Sequence, residues 1–375
     1  MVAPSFFFDK LKSHGIDFFA GVPDSLLKTF CAYLTDHQPG DRHIITTNEG
    51  SAVALAMGYH LAAGGIPLVY MQNSGIGNAV NPLLSLVDTE VYGIPMLLLI
   101  GWRGEPGRKD EPQHIKQGKV LLPMLEAMGI PYDVIDEDAT GAAAALDHAV
   151  TSALENSCAH ALVVKKGAFD AYQLQSTMTS CYPFSREEVI QRIVDHLDDT
   201  DIVVSTTGMA SRELFEYRAQ TNAGHQRDFL TVGGMGHASQ IALGIAGQKP
   251  DRRILCIDGD GAALMHLGAL ATNGASNLAN FRHIIINNGT HDSVGGQPTL
   301  GFDVDLLKIA EACNYKKARR CESQAQLSGE LEKLNANTGP SLLEIRVNKG
   351  SRKDLGRPTT TPVANKKSFM AFASN

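Results

Sequence analysis

Arg253-Ile254-Leu255-Cys256-Ile257-Asp258-Gly259-Asp260-Gly261 is an apolar run that closes on an acidic turn with two glycines. A second apolar run, 283–286, closes on Asn287-Asn288-Gly289-Thr290. Short β-branched and aliphatic runs bounded by turn residues read as buried strands. A helical stretch separates the two, so the pair is one strand–helix–strand unit with an oxygen-bearing side chain at each strand end. In an open parallel sheet, ligands lie just beyond the carboxyl ends of the strands. The Asp260 carboxylate, the Asn288 amide oxygen and the backbone carbonyl of Thr290 form a hard oxygen set that suits Mg2+. The glycines let backbone approach an anionic group closely. Either segment alone would be an ordinary turn. Their pairing at two strand ends carries the reading.

The rest of the chain extends this pattern in both directions. Strand signals fall at 18–20, 43–47, 68–72, 96–100, 132–135 and 161–164, with helical stretches between them. One helix, 51–63, ends at Gly64-Gly65, a C-terminal stop. A polar, aperiodic stretch, 171–185, reads as a linker. Alternation then resumes at 201–205, 229–232, 253–257, 283–286, 316–319 and 341–347. Such alternation implies parallel sheets covered by helices on both faces. The expected fold class is α/β, two three-layer parallel-sheet domains over 1–170 and 186–375. No sequence repeat links the halves. The tail after Lys349 reads as a loose surface arm, or else as an arm packed over a site edge.

Composition narrows the function. The 375 residues suffice for two domains, and 43% hydrophobic with 19% charged residues is an ordinary globular balance. The net charge of −7 argues against nucleic acid as a partner. Six scattered cysteines without C-x-x-C spacing suggest neither a zinc site nor a disulfide framework. They fit free thiols in a reducing compartment. The apolar run at 96–100 is far too short to span a bilayer, and the first residues lack the order of a secretory signal. A cytoplasmic protein without a membrane partner is expected.

Two further segments bear on chemistry. Glu49, in Asn48-Glu49-Gly50-Ser51-Ala52, stands where a strand ends and an Ala-rich helix begins. An acidic residue there can simply favour the helix dipole. The following helix is small and apolar, so burial is expected, and a buried carboxylate gains proton affinity. Gly234-Met235-Gly236, with Asp258 further on, approaches a nicotinamide-dinucleotide fingerprint. Ser239 replaces its third glycine, and that reading leaves Asn288 unexplained.

Together, Glu49 in the first half and the Asp260 and Asn288 segments in the second resemble the thiamine diphosphate enzymes. The likeness covers nearly the whole chain. Gly101-Trp102-Arg103-Gly104-Glu105-Pro106-Gly107, Lys109-Asp110-Glu111-Pro112-Gln113-His114 and Asn288 to Gln297 bring it closest to the phosphonopyruvate and sulfopyruvate decarboxylases. The Lys109 to His114 loop favours the phosphonate branch. The resemblance implies decarboxylation of a small anionic 2-oxo acid, with another such acid, sulfopyruvate included, as the alternative. It implies thiamine diphosphate and Mg2+ as cofactors. The first domain would bind pyrimidine, the second diphosphate. It also implies a homodimer or homotetramer, because in this superfamily the glutamate and the metal group come from different subunits.

The same resemblance assigns roles by position. Glu49 would share a proton with the aminopyrimidine. Asp260, Asn288 and Thr290 would hold the metal, with two diphosphate oxygens and a water completing its shell. Gly233 would offer its carbonyl to the exocyclic amine, and Met235 would wedge between the two rings. Thr207, Gly208, Gly261 and Ala262 would meet the diphosphate, with Ser293 nearby. Many relatives carry a hydroxyl where this chain has Ala262. His291 and His114 are candidates for the final proton transfer, and His237 follows the Met235 loop. Asp24 and Ser25 would face the reacting centre, or cap the helix that follows. Arg103 is the candidate fork for the substrate's anionic group, within a mixed-charge loop.

Overall fold

The computed structural model describes residues 1–176 and 180–374, so 177–179 of the expected linker lie outside the described residues. Two compact units emerge. The first is Met1–Met178 with Ser293–Gln297, and the second is Thr179–Asp292 with Pro298–Asn375.

The first unit holds β1 (Phe19–Gly21), β2 (His43–Ile45), β3 (Leu68–Gln72), β4 (Met96–Gly101), β5 (Tyr132–Ile135) and β6 (Ala159–Val164). They form one sheet, in the order β2-β1-β3-β4-β6-β5, and every pairing is parallel. The second unit holds β7 (Ile202–Ser205), β8 (Asp228–Leu230), β9 (Ile254–Gly259), β10 (Phe281–Asn287), β11 (Lys317–Cys321) and β12 (Ser341–Arg346). Its sheet runs β8-β7-β9-β10-β12-β11, again all parallel. The second sheet therefore repeats the strand order of the first, a duplication that the residue identities do not display.

The strand sequences explain why both faces are covered. Side chains alternate across a strand, so a continuous apolar run buries both faces. In β4, Leu97 and Leu99 join one core while Met96, Leu98 and Ile100 join the core on the other face. In β9, Leu255 and Ile257 face one core and Ile254 and Cys256 the other. Burial of each such large side chain stabilises by about 1.5–3 kcal/mol. All six cysteines are free. Among the described residues no helix is long and apolar enough to cross a membrane.

Two expectations change. The helix Glu49–Ala63 begins two residues earlier than its sequence suggests, because the Asn48 side chain accepts from Gly50 N at 2.8 Å. Within one chain it is not buried all round: Ala54 and Leu55 are exposed, and Leu61 is 66% exposed. The end of the tail is not a loose arm. Pro362–Ser374 is a helix whose Asn365 grips the edge strand β8 through its backbone. Asn365 Nδ2 donates to the Asp228 carbonyl at 2.9 Å, and Leu230 N donates to Asn365 Oδ1 at 3.2 Å. Phe369 adds an edge-on contact to Phe229. A free sheet edge is thereby partly satisfied.

Candidate active site

In both sheets the strand order reverses beside the first strand, between β1 and β3 and between β7 and β9. Loops leaving the carboxyl ends of such neighbours diverge and open a crevice. Each unit places a polar group there.

In the second unit, β9 carries the chain straight through Asp258 and Gly259, and Asp260 opens the short helix Asp260–Met265. Asp258 faces the protein interior, with Oδ2 3.5 Å from His283 Nε2. It is 1% exposed, so it is not placed to meet a ribose, and the dinucleotide reading loses its acidic residue. Asp260 is buried beside the end of β10, where Asn288 N donates to its Oδ1 at 3.4 Å and Thr299 Oγ1 donates to its Oδ2. Burial pushes its carboxyl up to about 6, against these hydrogen bonds. Thr290 N donates to Asn288 Oδ1 at 3.1 Å. The chain then loops out and returns at Pro298, which bridges Thr290, and Thr299 N donates to the Gly289 carbonyl. Asp260, Asn288 and Thr290 are thus linked in series by hydrogen bonds beside the ends of β9 and β10.

Three residues that the sequence reading passed over build this group. Asn287 is fully buried and donates to Glu344 Oε1 at 2.8 Å and to the Gly301 carbonyl at 2.6 Å, while accepting from Gly289 N. Asp292 accepts from Asn288 and Thr290. Gly301 lies so close to Asp260 Oδ2 and Asn287 Oδ1 that any Cβ would collide with both. The paired asparagines were visible in sequence. Which one faces inward was not, because that depends on Glu344 of a distant strand.

Beside them, Thr206 and Thr207 follow β7, and Gly208 caps the helix Met209–Gln220 with φ 97° and ψ −139°. That conformation is open to glycine alone. A Cβ on Gly208, Gly234 or Gly259 would meet nothing within 4 Å. Open space therefore lies over these backbones, as an anion cradle requires. Gly233 and Met235 are half-buried in the loop after β8. Ala262 is buried, and Gly261 packs against the ring of His291. Burial pushes that imidazole down to about 4, so it is neutral near pH 7. His237 is exposed and stacks edge-on against His266. Ser293 is exposed, in the single turn Asp292–Val294.

In the first unit, Glu49 lies just after β2 and is 5% exposed. Burial raises its proton affinity, and the bond from Asn78 Nδ2 to Oε2, at 2.7 Å, opposes the rise. A Cβ at Gly75 would lie 2.6 Å from Glu49 Oε1, so glycine there leaves room for the carboxyl.

Asp24 follows β1 and is fully buried. It accepts from Leu26 N at 2.9 Å and from Gln72 Nε2 at 2.6 Å. It does not cap the following helix, which begins at Lys28. Ser25 Oγ accepts from Arg103 Nη1 at 2.6 Å. Asp110 grips the same guanidinium by two bonds, through Nε at 2.8 Å and through Nη2. The arginine fork is therefore already occupied on one side. His114 is buried on the adjoining helix, and its imidazole is pushed down by burial and by the Arg103 charge. Gln72, Asn78 and Asp110 were not singled out from the sequence. Only the fold brings Gln72 at the end of β3 against Asp24 after β1.

The residues suit the group that the sequence motif implies. The Asp260 carboxylate accepts from the Asn288 backbone at the neighbouring ends of β9 and β10, glycine backbone with open space over it follows β7 and β8, and a buried carboxyl of raised proton affinity stands in the other unit. Comparison with known proteins agrees. The N-terminal TPP-binding domain of thiamine pyrophosphate enzymes matches residues 1–128, and the C-terminal TPP-binding domain matches 206–345. The chain is 34% identical to a phosphonopyruvate decarboxylase of Streptomyces viridochromogenes, with 96% of this chain and 92% of that protein covered. It is 33% identical to one of Streptomyces hygroscopicus, covering 100% and 94%. It is 27% identical to a sulfopyruvate decarboxylase of Methanosarcina acetivorans, covering 95% and 94%. The chain belongs to the thiamine pyrophosphate enzyme family, alongside the phosphonopyruvate and sulfopyruvate decarboxylases.

Proposed function

We propose that this protein decarboxylates 3-phosphonopyruvate to phosphonoacetaldehyde and CO2, with thiamine diphosphate and Mg2+ bound. The observation that carries the reading is the meeting of Asp260, Asn288 and Thr290 at the ends of β9 and β10. The full-length likeness to phosphonopyruvate decarboxylases supports the choice of substrate.

When bound, thiamine diphosphate supplies the electron sink that accepts the pair left as CO2 departs. Asp260 and Asn288 would hold Mg2+ by side-chain oxygens and Thr290 by its carbonyl. Gly208, Thr207, Gly261 and Ala262 present backbone to the diphosphate, next to Ser293. Gly233 and Met235 set the posture of the rings. Glu49 shares a proton with the pyrimidine nitrogen, and burial raises its affinity for that proton. Arg103, fixed by Asp110 and Ser25, presents its remaining N–H groups to the phosphonate, with Asp24 beside Gly101 at the end of β4. His291 or His114 passes the proton that the substrate carbon takes up when it loses CO2. Burial pushes both imidazoles down, so each is neutral near pH 7 and relays a proton that water supplies rather than holding one of its own.

The 1–170 and 186–375 domains serve pyrimidine and diphosphate respectively. The protein works in the cytoplasm as a homodimer or homotetramer. The exposed apolar face of Glu49–Ala63, with Leu55 and Leu61 outward, supports a partner copy at that face.

The test is to reconstitute the protein with thiamine diphosphate and Mg2+ and to supply phosphonopyruvate and sulfopyruvate separately, following aldehyde and CO2. Turnover of phosphonopyruvate at the higher kcat/KM is expected. Turnover of sulfopyruvate alone would move the protein to the sulfonate branch, and turnover of neither would overturn the reading.

A further inference from the structure

We propose that Asp292 is a positioning residue for the metal site: it fixes which end of the Asn288 amide faces the ion. This inference rests on the reading of Asp260, Asn288 and Thr290 as the metal ligands.

A carboxamide has nearly the same shape after a half-turn, which exchanges its oxygen and its NH2. Only the oxygen end can bind Mg2+. A ligand asparagine therefore needs a neighbour that distinguishes the two ends. Asp292 does so, because an ionised carboxylate only accepts. Asn288 Nδ2 donates to Asp292 Oδ2 at 2.7 Å, which draws the NH2 end to that side. The oxygen end is turned away, where it accepts from Thr290 N and keeps a further lone pair. Thr290 Oγ1 donates to the other oxygen of Asp292 at 3.0 Å. One carboxylate thus orients the side chains of two of the three proposed ligand residues.

Asp292 is itself held from distant parts of the second unit. Arg186 Nη1 and Gly350 N each donate to its Oδ2 at 2.9 Å. Arg186 is in turn fixed by two bonds to Glu213, at 2.8 and 2.9 Å, and both residues are buried. Burying such charges is a poor way to gain stability. It is an effective way to fix a carboxylate, and a fixed partner beyond the ligands tunes a metal site.

The test is Mn2+ binding to the metal-free protein in saturating thiamine diphosphate, followed by electron paramagnetic resonance of free Mn2+. Asp292→Ala and the isosteric Asp292→Asn are expected to raise the Mn2+ Kd about 10–100-fold. In an Asn288→Ala background, removing Asp292 is expected to change Kd by less than about threefold, because the partner it orients is gone. A lower melting temperature with unchanged Kd in both Asp292 variants would mean a merely structural role and would overturn the inference. Asp260→Ala separates the two levels. If it weakens Mn2+ binding while the Asp292 variants do not, only this inference falls. If it too leaves Kd unchanged, the ligand reading fails and takes this inference with it.

Discussion

Asn78 Nδ2 lies 2.7 Å from Glu49 Oε2, a hydrogen bond that favours the charged form of a carboxyl whose burial favours the neutral form. These opposed influences make Glu49 a proton holder that can also release its proton. Glu49→Gln keeps the shape and loses that exchange. The variant should bind thiamine diphosphate in a calorimetric titration, while kcat falls about 10²–10⁴-fold. Unchanged turnover would contradict the assigned role.

The same substitution should change stability in a pH-dependent way. Glu49 has a higher pKa in the folded chain than in the unfolded one. The unfolded state therefore loses its proton first as pH rises, and folding is penalised above the unfolded pKa. Each tenfold change in proton affinity corresponds to about 1.4 kcal/mol. In the cofactor-free protein, Glu49→Gln should melt higher than the parent at pH 7, and the gap should close towards pH 3. Equal melting curves at both pH values would show that burial does not perturb this carboxyl.

Arg103→Lys replaces a fork that satisfies Asp110 through two nitrogens and reaches Ser25 with a third. An ammonium cannot reproduce that geometry. KM for the dianionic substrate should rise about tenfold, roughly the worth of one charge-assisted bond, with a smaller change in kcat. Steady-state kinetics at several substrate concentrations checks the split.

Gly118 lies against the Gly104 carbonyl so closely that a Cβ would overlap backbone. Gly104 has φ +72° and in turn abuts the backbone of His114. The loop bearing Arg103 is seated on the helix Pro112–Ala127 through this pair. Gly118→Ala should cost about 1–3 kcal/mol by overpacking. It should also raise KM, because the loop must lift. Denaturant titration reads the first effect and kinetics the second.

Asn365→Ala removes both bonds that join the last helix to β8 and leaves buried backbone groups unpaired. The expected cost is about 2 kcal/mol. Hydrogen exchange should quicken at Leu230, whose N–H loses its acceptor. Protection that stays the same there would show that the helix is held by Phe369 alone.

The fold was legible because both sheets are parallel and buried, so each strand announces itself as an apolar run. Met96 to Ile100 and Ile254 to Ile257 are clear instances. All twelve strand signals correspond to observed strands, with ends moved by a few residues. The acidic turn was misplaced in one respect: β9 continues through Asp258 and Gly259, because Ile285 and Ile286 of β10 keep pairing with them. The residues that hold the site were the least legible. Asn287, Asp292 and Thr299 are ordinary polar residues in sequence. Their importance comes from Glu344, Arg186 and Asp260, which lie far away along the chain. The loose-arm reading of the tail failed for the same reason, since one asparagine decides whether that segment docks.

The shared strand order has an architectural corollary. Each half closes two cores of its own, one on either face of its sheet. Neither half needs a strand from the other to complete its sheet. Neither sheet therefore depends on the covalent join for its strands. The gene could be split between the codons for 170 and 186, and each polypeptide should still form its own sheet.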